Sequence, residues 1–455
     1  DYAGNNWTRN QTPTVTYDAS EPTAGIQVPV SGGFYNTLAT ISGTSVDNVV
    51  VSTIALSIQD VSIAAPNCYS EASGLFDADC PPDTDGWFPA KGTVGAWTYS
   101  GITWTALHQY IVTARATDPA GNVQSVFALH TSSNPFTYVT TAQAPTAGIL
   151  NPNAARQNNL LSAGLTTISG TAAVNEPNKL AIVEVRVQQA EELEYYWNPV
   201  NQQFELDPVT QAELAWTTAA YVTDWTNWTL SSAVVYEDGA QYRVIARARD
   251  RAGNYVVNYT TKTVIYDATA PLTYVASPGN GSVINSLTIS SGTKVDQTGN
   301  GQNLGTVGDV QVRFKRLSGT PSCWNGAAWL GCPQTMAPPT NIQVWESSWT
   351  INPTKLPGYT DANDLTSGTS YYITSSGTDN AAPTGNVEAF DSIYGSTFVY
   401  NADPPVSSIA APLSGAYYRV LAAVNGGAAS AFSNVALSTV AISIRDLQTA
   451  GPNNC

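Results

Sequence analysis

A Pro-led segment recurs four times along this 455-residue chain, as Glu21-Pro22-Thr23-Ala24-Gly25-Ile26, Ala144-Pro145-Thr146-Ala147-Gly148-Ile149, Ala270-Pro271-Leu272 and Pro404-Pro405-Val406-Ser407-Ser408-Ile409, at steps of 123, 126 and 134 residues. A fixed period of this size decides the architecture before any local pattern does. Ile41-Ser42-Gly43-Thr44, Ile168-Ser169-Gly170-Thr171 and Ser290-Ser291-Gly292-Thr293 come next in each period, followed by a segment that alternates with period two. That segment has four copies, at 54–58, 183–187, 310–314 and 440–444. Alternation of this kind turns one face of a strand inward. Trp97-Thr98, Trp228-Thr229 and Trp349-Thr350 then open a strand whose large ring can cap a core between two sheets.

The longest shared run is YIVTARATDPAGN from Tyr110 to Asn122 and YRVIARARDRAGN from Tyr242 to Asn254, with a third copy from Tyr371 to Asp379. The spacing from Tyr to Asp is eight in all three. Tyr110, Val112, Ala114 and Ala116 are expected to face inward and the residues between them outward. Asp-x-Ala-Gly-Asn, at Asp118 and Asp250, is turn chemistry. The carboxylate accepts turn amides while Gly and Asn tolerate positive φ, so a hairpin joining the last two strands is expected. At Asp379 the turn takes in extra residues, Ala381-Ala382-Pro383-Thr384-Gly385-Asn386.

Many short strands, Gly, Pro and Asn punctuation, and a Tyr entering the penultimate strand predict an all-β chain of sandwiches with tyrosine corners. On these residues the chain resembles the tandem bacterial Ig-like repeats of large surface proteins, in which Y-x-V-x-A-x-A-x-D-x-A-G-N closes each unit. The resemblance implies tandem Ig-like β-sandwiches. The repeat phase places full copies at 19–141, 142–267 and 268–402, with the last hairpin of a preceding repeat at 1–18 and the first half of a fourth at 403–455. Both ends are thus expected to fall within domains.

Charged residues make up 11% of the chain, against about 25% in soluble domains. A net charge of −16 argues against nucleic acid and anionic lipid as partners, because both require clustered Lys and Arg. Two histidines, His108 and His130, leave little material for triads or His-ligated metals, so no enzyme is expected. Glu191, Glu192 and Glu194 read as a solvated face. No apolar run reaches the about 18 residues of a membrane span, so no membrane insertion is expected.

Cys68 with Cys80, and Cys323 with Cys332, read as small-loop disulfides formed in an oxidising compartment, and Cys455 as the partner of a cysteine further along. Between the alternating strand and the Trp-Thr strand, Tyr195-Tyr196-Trp197-Asn198 and Ser322-Cys323-Trp324-Asn325-Gly326-Ala327-Ala328-Trp329 read as inserted aromatic hairpins. Their rings either cover the sandwich edge or, if exposed, serve sugar binding or lateral packing. No cofactor is expected. Asp77, Asp79, Asp83 and Asp85 have the oxygen count for calcium but not the EF-hand spacing, and read as a solvated loop. Asp18 and Asp267, with Asn401 at the last junction and no acid at the second, read as too sparse for a calcium-stiffened linker. Sequons at Asn6, Asn10, Asn227, Asn258 and Asn280 would permit glycans, although a chain this rich in Asn, Ser and Thr produces sequons by composition alone.

These features describe a structural segment of an extracellular, cell-surface protein, forming a stalk, fibre or filament, with adhesion through its loops. Its partners would be neighbouring repeats and further copies in a fibre. The alternative is a carbohydrate-binding or spacer module of a secreted enzyme or phage tail protein, marked by co-planar exposed Trp rings.

Overall fold

A computed structural model describes residues 2–4, 14–80, 86–158, 165–190, 194–221, 223–256, 258–297, 303–305, 307–390, 393–433, 435–445 and 447. The chain divides into two compact units, residues 1–153 with 167–234 and 243–263, and residues 154–166 with 235–242 and 264–455. It is all-β, its few helical turns being short 3-10 segments.

The first repeat contains β1 (Thr23–Val28), β2 (Gly33–Tyr35), β3 (Thr40–Val46), β4 (Thr53–Asp60), β5 (Cys68–Ser70), β6 (Leu75–Ala78), β7 (Phe88–Pro89), β8 (Lys91–Thr93), β9 (Ala96–Ser100), β10 (His108–Thr117) and β11 (Ser133–Tyr138). One sheet runs β1-β3-β9-β8 and the other β2-β11-β10-β4-β5-β6, with β7 on β4. The short β2 pairs parallel to β11, so the first strand of the repeat serves both sheets. This is the strand order of an Ig-like sandwich, four strands facing the C-F-G sheet.

The same order returns twice. In the second repeat, Thr146–Asn151, Thr167–Ala173, Asn227–Ser231 and Ala220–Tyr221 form one sheet; Arg156–Gln157, Thr260–Tyr266, Gln241–Asp250, Leu180–Gln189, Tyr196–Asn198 and Gln203–Leu206 form the other. In the third, Leu272–Ser277, Ser291–Gln297, Ser348–Ile351 and Ile342–Val344 oppose Ser282–Ile284, Ser396–Tyr400, Thr369–Thr378, Asp309–Arg316, Ser322–Trp324 and Trp329–Gly331.

Alternation explains the cores. Tyr110, Val112, Ala114 and Ala116 are all fully buried and pack against Leu56 and Ile58 of β4, while Val310, Val312 and Phe314 do the same against Tyr371 and Ile373. Trp97, Trp228 and Trp349 are buried between the sheets. The glycine of each Ser-Gly-Thr sits beneath that ring. A Cβ on Gly43 would lie 2.0 Å from the Gly25 carbonyl and 2.1 Å from Trp97, and on Gly170 1.9 Å from the Gly148 carbonyl and 2.2 Å from Trp228.

Two readings of the sequence change, those of the Asp118 turn and of the fourth alternating segment. The connection after Asp118 is no tight hairpin: β10 ends at Thr117 and β11 begins at Ser133, with isolated bridges from Thr117 to Val123 and from Leu129 to Ser133 between them. Of the two alternatives for the aromatic hairpins the covering one holds: they extend the C-F-G sheet, and Tyr196, Trp197 and Trp324 are buried, because these rings close the open edge of the core. The fourth alternating segment, 440–444, is not a strand, since among the described residues no partner strand lies beside it; only Val406–Ala411 and Asn425–Ala429 pair in that repeat. The hairpin expected at 1–18 lies largely outside the described residues, of which 2–4 and 14–18 contain no strand.

Candidate functional site at the repeat junctions

Each Tyr of the long motif forms a corner. Tyr110, Tyr242 and Tyr371 accept hydrogen bonds at their hydroxyls from the amides of Thr105, Glu237 and Thr366, five residues upstream, at 2.9, 2.8 and 2.8 Å. The corner fixes where the strand starts, and therefore where the Asp eight residues later ends.

That Asp organises the junction. Asp118 accepts the amide and the side-chain Nδ2 of Asn122, at 2.8 and 2.7 Å, and Asp250 does the same with Asn254, at 2.8 and 2.9 Å. Asp379 makes the same pair of bonds to Asn386, at 2.8 and 2.7 Å, despite the longer loop, because the insertion bulges out between them. Burial opposes the Asp118 charge, but the bonds from Asn122, Gly121 and Ala120 outweigh it and hold the carboxyl below the ordinary aspartate range.

The Asn then reaches the segment that leads into its own repeat. Asn122 Nδ2 donates to the Asp18 carbonyl, Asn254 Nδ2 to those of Val139 and Thr140, and Asn386 Nδ2 to that of Asp267. In the second and third repeats its Oδ1 meets the repeat before. Asn36 Nδ2 donates to Asn254 Oδ1 and Asn158 Nδ2 to Asn386 Oδ1, each at 3.1 Å. Both donors directly follow the short strand that pairs parallel to the last strand of their sandwich. The second and third repeats are thus joined to their predecessors by the same Asn–Asn clasp, supported at the latter by main-chain bonds between Arg156, Asn158 and Ala382.

The junctions also gather acids. Carboxylate oxygens of Asp18, Asp47 and Asp118 lie within 4.8 Å of one another, as do those of Asp267, Asp296 and Asp379. This corrects the reading of the junction acids as too sparse: the linker supplies one carboxylate, and the turn and the strand after Ser-Gly-Thr supply the other two. The first cluster is half-open, whereas Asp267 and Asp296 are fully buried and Asp379 is 5% exposed. Burial, reinforced by the Asp379 carboxylate, pushes Asp267 up to about 7 and Asp296 up to about 6, with Arg156 opposing both shifts. Sequence reasoning missed Asp47 and Asp296; their matching positions after Val46 and Val295 were the available signal. In the second repeat Val174 stands there, and Asn178 Nδ2 donates to Asp250 Oδ2 at 2.8 Å.

The remaining candidates separate. Cys68–Cys80 and Cys323–Cys332 are disulfides, each tying the sheet-extending hairpin. Asp77 and Asp79 are exposed, with Asp77 accepting from Ser73, while Asp83, Asp85, Glu191, Glu192, Asn6, Asn10 and Cys455 lie outside the described residues. Tyr221 and Trp225 edge an open groove, but their rings are tilted by 48° and form no flat platform. Asn227, Asn258 and Asn280 are exposed.

No family model and no curated protein matches the chain. Among solved structures it is similar to the fibronectin(III)-like modules of Clostridium thermocellum CbhA, at 10% identity over 54% of this chain and 94% of that one, with a TM-score of 0.25. A tetra-tandem repeat in the extending region of a large adhesion protein matches at 17% identity over 86% and 76%, TM-score 0.24. Invasin, a bacterial integrin-binding protein, matches at 12% over 86% and 61%, TM-score 0.26. Such scores add no argument to the sheet order and the tyrosine corners. The chain is a tandem series of Ig-like β-sandwiches.

Proposed function

We propose that this series is a non-enzymatic structural segment of a large extracellular protein, giving reach to a stalk, fibre or surface filament. The observation that carries this reading is the Asn–Asn clasp, built from equivalent residues at two successive junctions. Repetition of a joint serves a protein whose repeats must hold their neighbours, as quasi-one-dimensional arrays do. The two disulfides support an oxidising, extracellular setting. The low charge leaves little repulsion against lateral association with further copies. Surface loops, glycosylated or bare, would supply any adhesive contact.

Two measurements test it. Antibodies raised against the chain should label intact cells; labelling only after permeabilisation would remove the extracellular assignment. Electron microscopy of native material should show continuous fibres or stalks, and separate beads without regular joints would count against the structural role.

A further inference from the structure

We propose that Asp267, Asp296 and Asp379 bind a divalent, oxygen-seeking cation of the calcium type at the junction leading into the third repeat. The three carboxylates come from separate segments: the linker, the strand Ser291–Gln297 and the turn after Thr369–Thr378. Their oxygens converge within 4.8 Å. Acidity alone would not define a site, but two details do.

The first is the state of Asp296. It is fully buried, and neither of its carboxylate oxygens accepts a hydrogen bond; Asp267 Oδ2 is likewise buried without one. Burying a charged oxygen without a donor is expensive unless a cation compensates it. The nearest positive group is Arg156, whose Nη1 stands 3.7 Å from Asp296 Oδ2, beyond hydrogen-bond reach, and donates instead to Asn380 Oδ1. Fully ionised, the three carboxylates against one guanidinium carry a charge of −2, which one divalent ion cancels.

The second is how the other repeats treat the same place. In the second repeat, two of the three acids are missing and the Asn178 amide donates to the remaining Asp250. An organic donor there does what an ion would do in the third repeat. In the first repeat the oxygens are half-open and already engaged: Asp47 Oδ2 takes the amides of Val49 and Val50, and Asp18 Oδ1 takes that of Ser20. That cluster makes no comparable demand and is not part of the proposal.

The donor set selects the metal. It is all oxygen, without the His or Cys that zinc and copper favour. Calcium accepts irregular shells of about 6–8 oxygens, so main-chain carbonyls and water can complete one around three carboxylates. Magnesium requires a stricter octahedron.

The test uses the full chain, stripped with chelator and titrated with calcium chloride by calorimetry, with melting followed in parallel. The wild type should bind calcium and melt roughly several degrees higher with it. Asp296→Asn should lose that binding and the calcium-dependent part of the shift, yet melt above the wild type in chelator, because a buried, uncompensated charge is gone. Arg156→Gln should bind calcium roughly tenfold more tightly, since it removes a competing positive charge. If Asp296→Asn does not fold, the Arg156→Gln titration decides. An absent calcium response in the wild type, a full response retained in Asp296→Asn, or an unchanged or weaker affinity in Arg156→Gln would each overturn the assignment.

Discussion

Tyr371 illustrates how one hydroxyl earns its place. Its ring stacks on Phe398 with centroids 5.5 Å apart, and its oxygen takes the Thr366 amide at 2.8 Å. Tyr371→Phe keeps the ring and leaves that amide without its partner, so denaturant melts should show a loss of about 1–2 kcal/mol. The corner was legible from the eight-residue spacing between Tyr and Asp. The acid clusters were not, because a carboxylate following Val46 or Val295 looks like an exposed strand end until the turn and the linker fold over it. Glu388 is another residue with a hidden role. It is buried and accepts from the Thr273 amide and hydroxyl and the Gly377 amide, as Gln124 accepts from Ala24 and Ala116 in the first repeat. Burial raises its pKa, and the bonds from Thr273 and Gly377 offset this only in part. A carboxyl whose folded pKa lies above its unfolded value gives its full stability below the unfolded pKa and loses it as pH rises through the folded one. Glu388→Gln, which copies the first repeat, should therefore match the wild type near about pH 4 and exceed it near about pH 8 in urea melts. A constant difference across that range would exclude titration of Glu388 as the cause.

At the level of elements, the strands were readable and the connections were not. Period-two alternation locates β4 and β10, because each buries one full face. The Asp-x-Ala-Gly-Asn segment reads as a hairpin turn because its local chemistry is that of a turn; the longer bonds of Asn254, donated to Val139 and accepted from Asn36, are invisible to any local pattern. Ser-Gly-Thr was visible as a motif but not explained. The structure supplies the reason: Trp228 and the Gly148 carbonyl occupy the space a side chain at Gly170 would need. Gly170→Ala should cost about 3 kcal/mol, near the upper end for overpacked cores, as measured by chemical denaturation. The hairpin disulfides act more mildly. Cys323 and Cys332 close a loop with a sequence separation of 9, so replacing both with Ala should cost about 2–3 kcal/mol, less if the reduced chain keeps the hairpin. Trp324 Nε1 still donates to the Lys355 carbonyl and its ring still fills the core edge, so the hairpin should persist in the variant and near-ultraviolet circular dichroism should change little.

Across the described residues, burial is unevenly distributed. The first three copies each pair the long Tyr-led strand with the alternating strand and close a core around a buried Trp. The fourth copy shares the leading proline and the alternating segment at 440–444, yet its described residues form only a two-stranded sheet, and none from 401 to 447 is buried. Val406, Ile409, Leu413, Tyr417 and Val420 all stand exposed there. Sequence periodicity marks which residues would face a core, but it does not show whether they do. A two-stranded sheet without a packed face is marginal in water, and local opening costs least where few apolar groups are buried. Limited proteolysis of the native chain should therefore cut first between about 412 and 445, where backbone bonds are exposed to solvent. The three sandwiches should survive as a stable fragment ending near Asn401, whose amide is held by the Ile284 carbonyl and whose side chain takes the Ser367 hydroxyl. First cuts inside the sandwiches, identified by mass spectrometry of the early fragments, would mean that the exposed fourth copy gains its protection from association with other chains.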